Sequence, residues 1–350
     1  MRRFHFIPLS FRLFLSKIKR KRLLIRRLDR ISQSRSNDPI VYLLNIPSHG
    51  NMGDQLIAYA EFILLNKEYD EKRIITFSTG QLECGIKLLQ KVIRPNDLVF
   101  VTGGGFLGSI YPPEEKRFQD IMRYFSSNRI FLFPQTFHYE ENSVLLSKTI
   151  ELHKKCKSLI IATRESSSYE FIKSHFFNAK VLLLPDVTTT LDFSNEEVYR
   201  DGICICSRQD KEKTDDSGCL FNAFVRLAND RNIKIRFIDT QVPYSIQKSK
   251  REEEVHKKVR EFSSSQLVIT DRLHGMLYSI ITGTPVIAID NSTKKISGAY
   301  NDWFKGIKYV KFCSSEQETE KMLNDMLPLG GQNYNPEFFN SKIKELFNYA

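Results

Sequence analysis

The chain has 350 residues, 41% hydrophobic and 27% charged, which excludes a disordered tail or a fibre and leaves room for about two globular domains. Its net charge of +11 points at first to a nucleic-acid partner, but residues 1–30 hold eleven Lys and Arg against Asp29 alone, a local +10 that leaves +1 for the other 320 residues. A near-neutral body with no basic, aromatic-interleaved stripe excludes a nucleic-acid-binding domain, and six cysteines without a C-x-x-C pair exclude a disulfide scaffold and fit structural thiols in a reducing cytoplasm.

The N-terminal apolar run, residues 4–15, is broken by Pro8 and Arg12. It is shorter than the roughly 20 apolar residues of a spanning helix. It is followed by Lys17, Lys19, Arg20, Lys21 and Arg22, where a signal peptide would place small residues. Phe11, Phe14, Leu15, Ile18, Leu24, Ile25 and Leu28 recur among the basic residues. That spacing predicts a basic amphipathic leader over residues 1–35. It lies either on an anionic membrane surface, through residues 1–30, or against its own body.

From residue 36 onward apolar runs of strand length alternate with helical spacing. The predicted strands are 39–45, 73–78, 97–103, 129–134, 158–163 and 180–185. A polar stretch, 186–202, reads as an interdomain linker. The pattern restarts at 202–207, 233–239, 266–271, 284–290 and 307–312. Continuous apolar strands alternating with amphipathic helices predict parallel sheets covered on both faces. The fold class is therefore α/β, with two Rossmann-like open parallel-sheet domains facing a cleft. The first spans residues 36–190 and the second 191–330; a C-terminal helix over 331–350 crosses back towards the first domain.

In open α/β sheets ligands bind beyond the carboxyl ends of the strands. The first strand runs into Asn51, Gly53 and Asp54 at the start of a helix, whose amides would face the cleft, with Asp54 placed to cap them. The third runs into Gly103, Gly104 and Gly105, where backbone can approach a ligand closely. No Lys-Ser/Thr follows for a phosphate loop, and the strand is the wrong one for a dinucleotide fingerprint. The fourth ends at Gln135 and His138, and the fifth at Arg164. In the second domain Arg208 follows one strand, and Asp271, Arg272 and His274 follow another. Arginine's planar fork suits carboxylate and phosphate, and histidine suits proton transfer near neutrality. No metal-binding cluster is expected.

These residues resemble the polysaccharide pyruvyl transferase family. The matching pieces are Asn51-x-Gly53-Asp54, Gly103 to Gly105 followed by Phe106-Leu107, Pro134-Gln135-Thr136-x-His138, Arg164-Glu165-x-Ser167 and Asp271-Arg272-Leu273-His274-Gly275. Asp290-Asn291-Ser292, Lys295 and Tyr300-x-x-Trp303 are similar to a segment of bacterial exopolysaccharide members, with Thr293-Lys294 departing from it. The resemblance implies a fold like the two-domain GT-B glycosyltransferases. It also implies transfer of pyruvate from phosphoenolpyruvate to two hydroxyls of a sugar, lipid-linked or soluble, giving a cyclic ketal and phosphate without a cofactor. Arg164 and Arg272 would then clamp the donor, His274 would act as acid and base, His138 would assist, and Asn51 and Asp54 would face the acceptor. The enzyme is expected in the cytoplasm, peripheral on the inner membrane face. The alternative is a GT-B glycosyltransferase using a nucleotide sugar. Glu253 and Glu261 have the spacing of a nucleotide-holding pair, but they fall in a charged helical stretch.

Overall fold

The computed structural model describes residues 9–195, 198–208 and 214–350. Residues 1–8 of the leader, and the side chains of 9–17, lie outside the described part. The strands in chain order are β1 (Val41–Ile46), β2 (Ile74–Ser78), β3 (Leu98–Val101), β4 (Gly104–Gly108), β5 (Arg129–His138), β6 (Ser158–Thr163), β7 (Lys180–Leu183), β8 (Ile203–Cys206), β9 (Ile235–Ile238), β10 (Leu267–Thr270), β11 (Val286–Ile289) and β12 (Val310–Cys313). The helices are α1 (Leu9–Gln33), α2 (Met52–Glu68), α3 (Thr79–Leu89), α4 (Pro112–Tyr124), α5 (Val144–His153), α6 (Ser166–His175), α7 (Asp215–Asp230), α8 (Arg251–Ser263), α9 (Leu273–Ile281), α10 (Lys295–Ala299), α11 (Thr319–Met326) and α12 (Glu337–Lys344).

Two parallel sheets result, as the alternating pattern predicts. The first has the order β2-β1-β3-β5-β6-β7, with β4 also paired to β5; the second has the order β12-β11-β10-β8-β9. Successive residues of β1 point to opposite faces, and both faces are dry. Val41 and Leu43 join the apolar cluster beneath α2, whereas Tyr42 and Leu44 join the cluster beneath α3 and α4. The first of these clusters is continuous with Cys206, Val268 and Tyr278 of the second domain. The two domains therefore share one core through α2, α8 and α9.

Two features differ from the sequence expectation, and a third selects between the two readings of the leader. The glycine run is a strand. β4 continues the line of β3 along the second half of β5, with Gly104 opposite Gln135 and Gly108 opposite His138. Gly104 and Gly108 have φ of +138° and +119°, values that a side chain disfavours. Next, the start of the stretch read as a linker is buried: Asp186 caps a turn of 3-10 helix over Val187–Thr190, and all of these residues are inside. Finally, the second half of α1 packs on the body. Leu24 and Leu28 are buried against α3, and Gly85 makes room, since a Cβ there would lie 2.5 Å from Leu24 Cδ2. The Arg27 guanidinium lies 4.6 Å above the Phe77 ring and donates to the Thr76 carbonyl. At the other end of the chain, Phe347 packs edge-on against Tyr69 and tilted against Phe100 of the first domain.

Candidate functional site

The carboxyl ends of β1, β3, β6, β8 and β10 open on one cleft of about 350 Å³ between the domains. Its wall includes Asn51, Asp54, Gly103, Gly105, Arg164, Arg208, Arg272, His274 and Lys295. The first-domain turn that carries Asn51 is stitched to the second domain by backbone hydrogen bonds. Met52 N donates to Thr240 O (2.7 Å), Val242 N to Gly50 O (2.8 Å) and Ile246 N to Ser48 O (2.9 Å). Gly50 permits that approach, because a Cβ would fall 2.0 Å from Val242 O. Asn51, and not Asp54, caps α2: its Oδ1 accepts from Gly53 N (3.0 Å) and Asp54 N (3.4 Å). Asp54 instead faces the cleft, 3.7 Å from His49 Nε2.

Arg164 and Arg272 are each held by side chains of the protein itself. Arg164, 2% exposed, donates from Nε to Thr136 Oγ1 (2.8 Å) and from Nη1 to Asp186 Oδ2 (2.7 Å). Its Nη2 points at Gly105, where a Cβ would sit 2.5 Å away. The guanidinium is thus locked on two sides and presents its third to the cleft wall. Arg272 pairs with Asp239, donating from Nη2 to Oδ2 (2.9 Å), while Nε lies 2.7 Å from Oδ1. The Arg208 backbone N–H donates to Asp271 (2.8 Å), so Asp271 stands behind the wall and supports it. Burial pushes the Asp271 carboxyl up.

His274 begins α9 and leans on the first domain. A Cβ on Gly53 would lie 2.3 Å from its Nδ1, so glycine at 53 is a steric condition for the position of this ring. Its Nε2 is buried, with Asp186 Oδ2 3.6 Å away. Burial by itself would push the Asp186 carboxyl up. His274 and Arg164 outweigh burial and hold it well below the usual carboxylate range. Asp186 was missed in the sequence, although it lies just past β7 and the strand-exit rule that selected the other site residues applies to it.

A second missed residue is Glu61, fully buried on α2. It accepts from Thr102 Oγ1 (2.5 Å) and Gly103 N (2.7 Å), and so props the glycine turn on the cleft wall. Burial pushes its carboxyl up to about 8, against the opposing effect of those two donors. Gln135 lies inside the first sheet, donating to Thr136 O (3.0 Å), and does not reach the cleft. Gly104 packs beside Asp54. His138 is exposed and lines a neighbouring cavity of about 260 Å³, which shares Gly105 and Lys295 with the main cleft. The second domain closes over the β6 exit. Trp303 Nε1 donates to Arg164 O (2.9 Å), and Asp302 accepts from Ser166 N (2.6 Å) and Oγ (2.8 Å). Glu253 and Glu261 are engaged on α8 with Lys250 (2.7 Å) and Lys258 (2.5 Å), and neither lines the cleft.

A sequence profile described as polysaccharide pyruvyl transferase matches residues 51–293. General stress protein 30 of Bacillus subtilis is 31% identical over 294 residues, 82% of this chain and 85% of that one. Pyruvyl transferase 1 of Schizosaccharomyces pombe is 27% identical over 285 residues, 76% of this chain and 70% of that one. Among solved structures, the UDP-GlcNAc 2-epimerase of Methanocaldococcus jannaschii superposes with a TM-score of 0.52 at 12% identity, covering 89% of this chain and all of that one. A functionally uncharacterized protein of Klebsiella pneumoniae gives 0.54 at 18% identity, covering 85% and 98%. These likenesses show a GT-B-like fold.

Proposed function

Because the chain belongs to the polysaccharide pyruvyl transferase family, we propose that it transfers pyruvate from phosphoenolpyruvate to two hydroxyls of a sugar in an exopolysaccharide, capsule or cell-wall precursor. The observation that carries this reading is the meeting of Arg164, Arg208, Arg272 and His274 on one cleft. The donor bears a carboxylate and a phosphate on one small carbon frame, and planar guanidinium forks suit both groups. In the proposed reaction one hydroxyl oxygen bonds to C2 while a proton reaches the methylene carbon, which becomes the methyl group. The C2–O bond to phosphate then breaks, and the second hydroxyl oxygen closes the ketal. Of the two hydroxyl protons, one ends on the methyl carbon and the other leaves with phosphate. His274 is the acid and base; a group in that role accelerates such a step by roughly 10²–10⁴-fold. Asp54 and Asn51 form the opposite wall, on which the acceptor would rest.

The leader fits a place on the inner face of the cytoplasmic membrane. Lys19, Arg22, Arg26 and Arg30 are exposed and lie in one stripe along α1, turned away from the buried Leu24 and Leu28. Among the described residues no helix is long and apolar enough to cross a membrane. The test of the reaction is thermal shift with phosphoenolpyruvate against nucleoside diphosphates. Phosphate release is then followed with a panel of free and lipid-linked glycosides, and the products are weighed. Stabilisation by phosphoenolpyruvate and a product carrying a pyruvate ketal are expected. Stabilisation by a nucleoside diphosphate alone would instead favour nucleotide-sugar glycosyl transfer and overturn the proposal.

A further inference from the structure

His274 has two ring nitrogens in different surroundings, and the two residues that make them different come from outside its own domain motif. On one side stands Asp186, from the segment after β7. Its Oδ1 is taken by Thr188 N (3.0 Å) and Thr188 Oγ1 (2.8 Å), and its Oδ2 by Arg164 Nη1 (2.7 Å). The second oxygen also lies 3.6 Å from His274 Nε2, which is buried and has no closer acceptor. On the other side stands Gly53, on which the ring rests: a Cβ there would lie 2.3 Å from Nδ1, 2.4 Å from Cγ and 2.8 Å from Cβ of His274. Turning the ring over would set a C–H against the Asp186 carboxylate, so electrostatics favours the orientation observed.

We propose that Nδ1 is the working nitrogen of His274, that Asp186 is the positioning carboxylate which keeps the ring proton on Nε2, and that Gly53 is the positioning residue that lets the ring lie against the first domain with that nitrogen at the cleft. The inference rests on the pyruvyl-transfer reading for its chemistry. The ring enters protonated on both nitrogens, with Asp186 beside the charge. Nδ1–H delivers its proton to the methylene carbon as the first hydroxyl oxygen bonds to C2, so the π pair of the donor ends in the new C–H bond. Nδ1 then takes the proton of that oxygen, and the ring returns to its starting form. In the neutral ring between these steps the carboxylate keeps the remaining proton on Nε2. Asp186 also holds Arg164, so one buried carboxylate fixes both the proton-transfer group and a donor clamp.

The test has one arm that needs no substrate. Protein labelled with ¹⁵N-histidine is observed by long-range ¹H–¹⁵N correlation, with the His274 signals identified among the seven histidines by a His274→Gln variant. The expected spectrum of the free enzyme above the titration is the Nε2–H form; an Nδ1–H form overturns the proposal. In Asp186→Asn the side-chain amide supplies one acceptor oxygen where two are used. The Nδ1–H population is therefore expected to rise and kcat to fall by about 10² or more. An unchanged tautomer with kcat within threefold of wild type overturns the role of Asp186. Gly53→Ala sets a methyl into the space of the His274 ring and displaces it: kcat is expected to fall by at least tenfold with little change in KM for the donor, and full kcat refutes the role of Gly53. Should Asp186→Asn fail to fold, the wild-type spectrum and Gly53→Ala still decide. Should the protein transfer no pyruvate, the proposed function fails while the spectrum still reports on the ring.

Discussion

Replacing Glu61 by Gln should make the protein more stable, and increasingly so as pH rises. The native carboxyl titrates near 8 because it is fully buried, whereas an ordinary one titrates near 4.5. Below the lower value both folded and unfolded chains are protonated. Between the two values the unfolded chain releases a proton that the folded chain keeps, so stability falls with rising pH until the native group has titrated. The full gap corresponds to about 5 kcal/mol, and about 3 kcal/mol of it falls between pH 5.5 and 8. Glutamine reproduces the protonated group: its oxygen accepts from Gly103 N and its amide donates to Thr102 Oγ1. Because the two domains share one core, the whole chain is the unfolding unit, and the Tm difference between Glu61→Gln and wild type should widen by roughly 4–5 °C over that range. Differential scanning fluorimetry of both proteins across the series measures it, and every other titrating group cancels in the difference. Parallel Tm curves would refute the argument that burial dominates at this carboxyl.

Charge reversal of the α1 stripe, Lys19→Glu, Arg22→Glu, Arg26→Glu and Arg30→Glu together, should abolish binding to anionic phospholipid vesicles in a flotation assay. At about 1 kcal/mol per basic residue the loss is at least ~10³-fold, with the Tm shifted by only a degree or two. Deleting residues 1–30 is a different perturbation, because it removes the buried Leu24 and Leu28 and should cost about 3–6 kcal/mol, read as a lower Tm. Arg164→Lys cannot keep Thr136, Asp186 and a free donor edge at once, so kcat/KM for phosphoenolpyruvate should fall by at least about 10²-fold in steady-state assays. Trp303→Phe leaves the Arg164 carbonyl without its donor, a loss of about 1–3 kcal/mol that thermal denaturation would register.

Much of the fold was legible because fully buried parallel strands must be continuously apolar, and β1, β3, β8, β10 and β11 are buried at every position. β4 was not legible. Glycine has no strand preference, and this strand exists because β5 runs on past its predicted end at 134 to His138 and offers it an edge. The 3-10 turn after Asp186 was hidden for a related reason: its threonines are polar by type but satisfied locally, with Thr189 Oγ1 donating to Asp186 O (2.7 Å) and Thr190 Oγ1 to Val187 O (2.7 Å). Arg164, Arg272 and His274 were found by position at strand exits. Glu61 was not, since it lies on a helix, although an acid on the same face as Ile57, Leu64 and Leu65 is a signal of a buried carboxyl. Within the described part of the leader, Leu24 and Leu28 face the protein while Ile25, of the same predicted apolar set, is exposed; a period does not say which surface receives the apolar face.

The seam between the turn at residues 48–52 and the loop at residues 240–246 has a thermodynamic consequence. Arg164 is anchored in one domain and capped by Trp303 of the other, and His274 leans on Gly53 across the same boundary. A donor held by these groups, as proposed, would bind only the joined arrangement, so its affinity would contain the free energy of keeping the domains together. Reciprocity then requires that donor binding strengthen the seam. The amides of Met52, Val242 and Ile246 should therefore exchange more slowly with solvent when the cleft is filled, although none of them touches the reacting atoms.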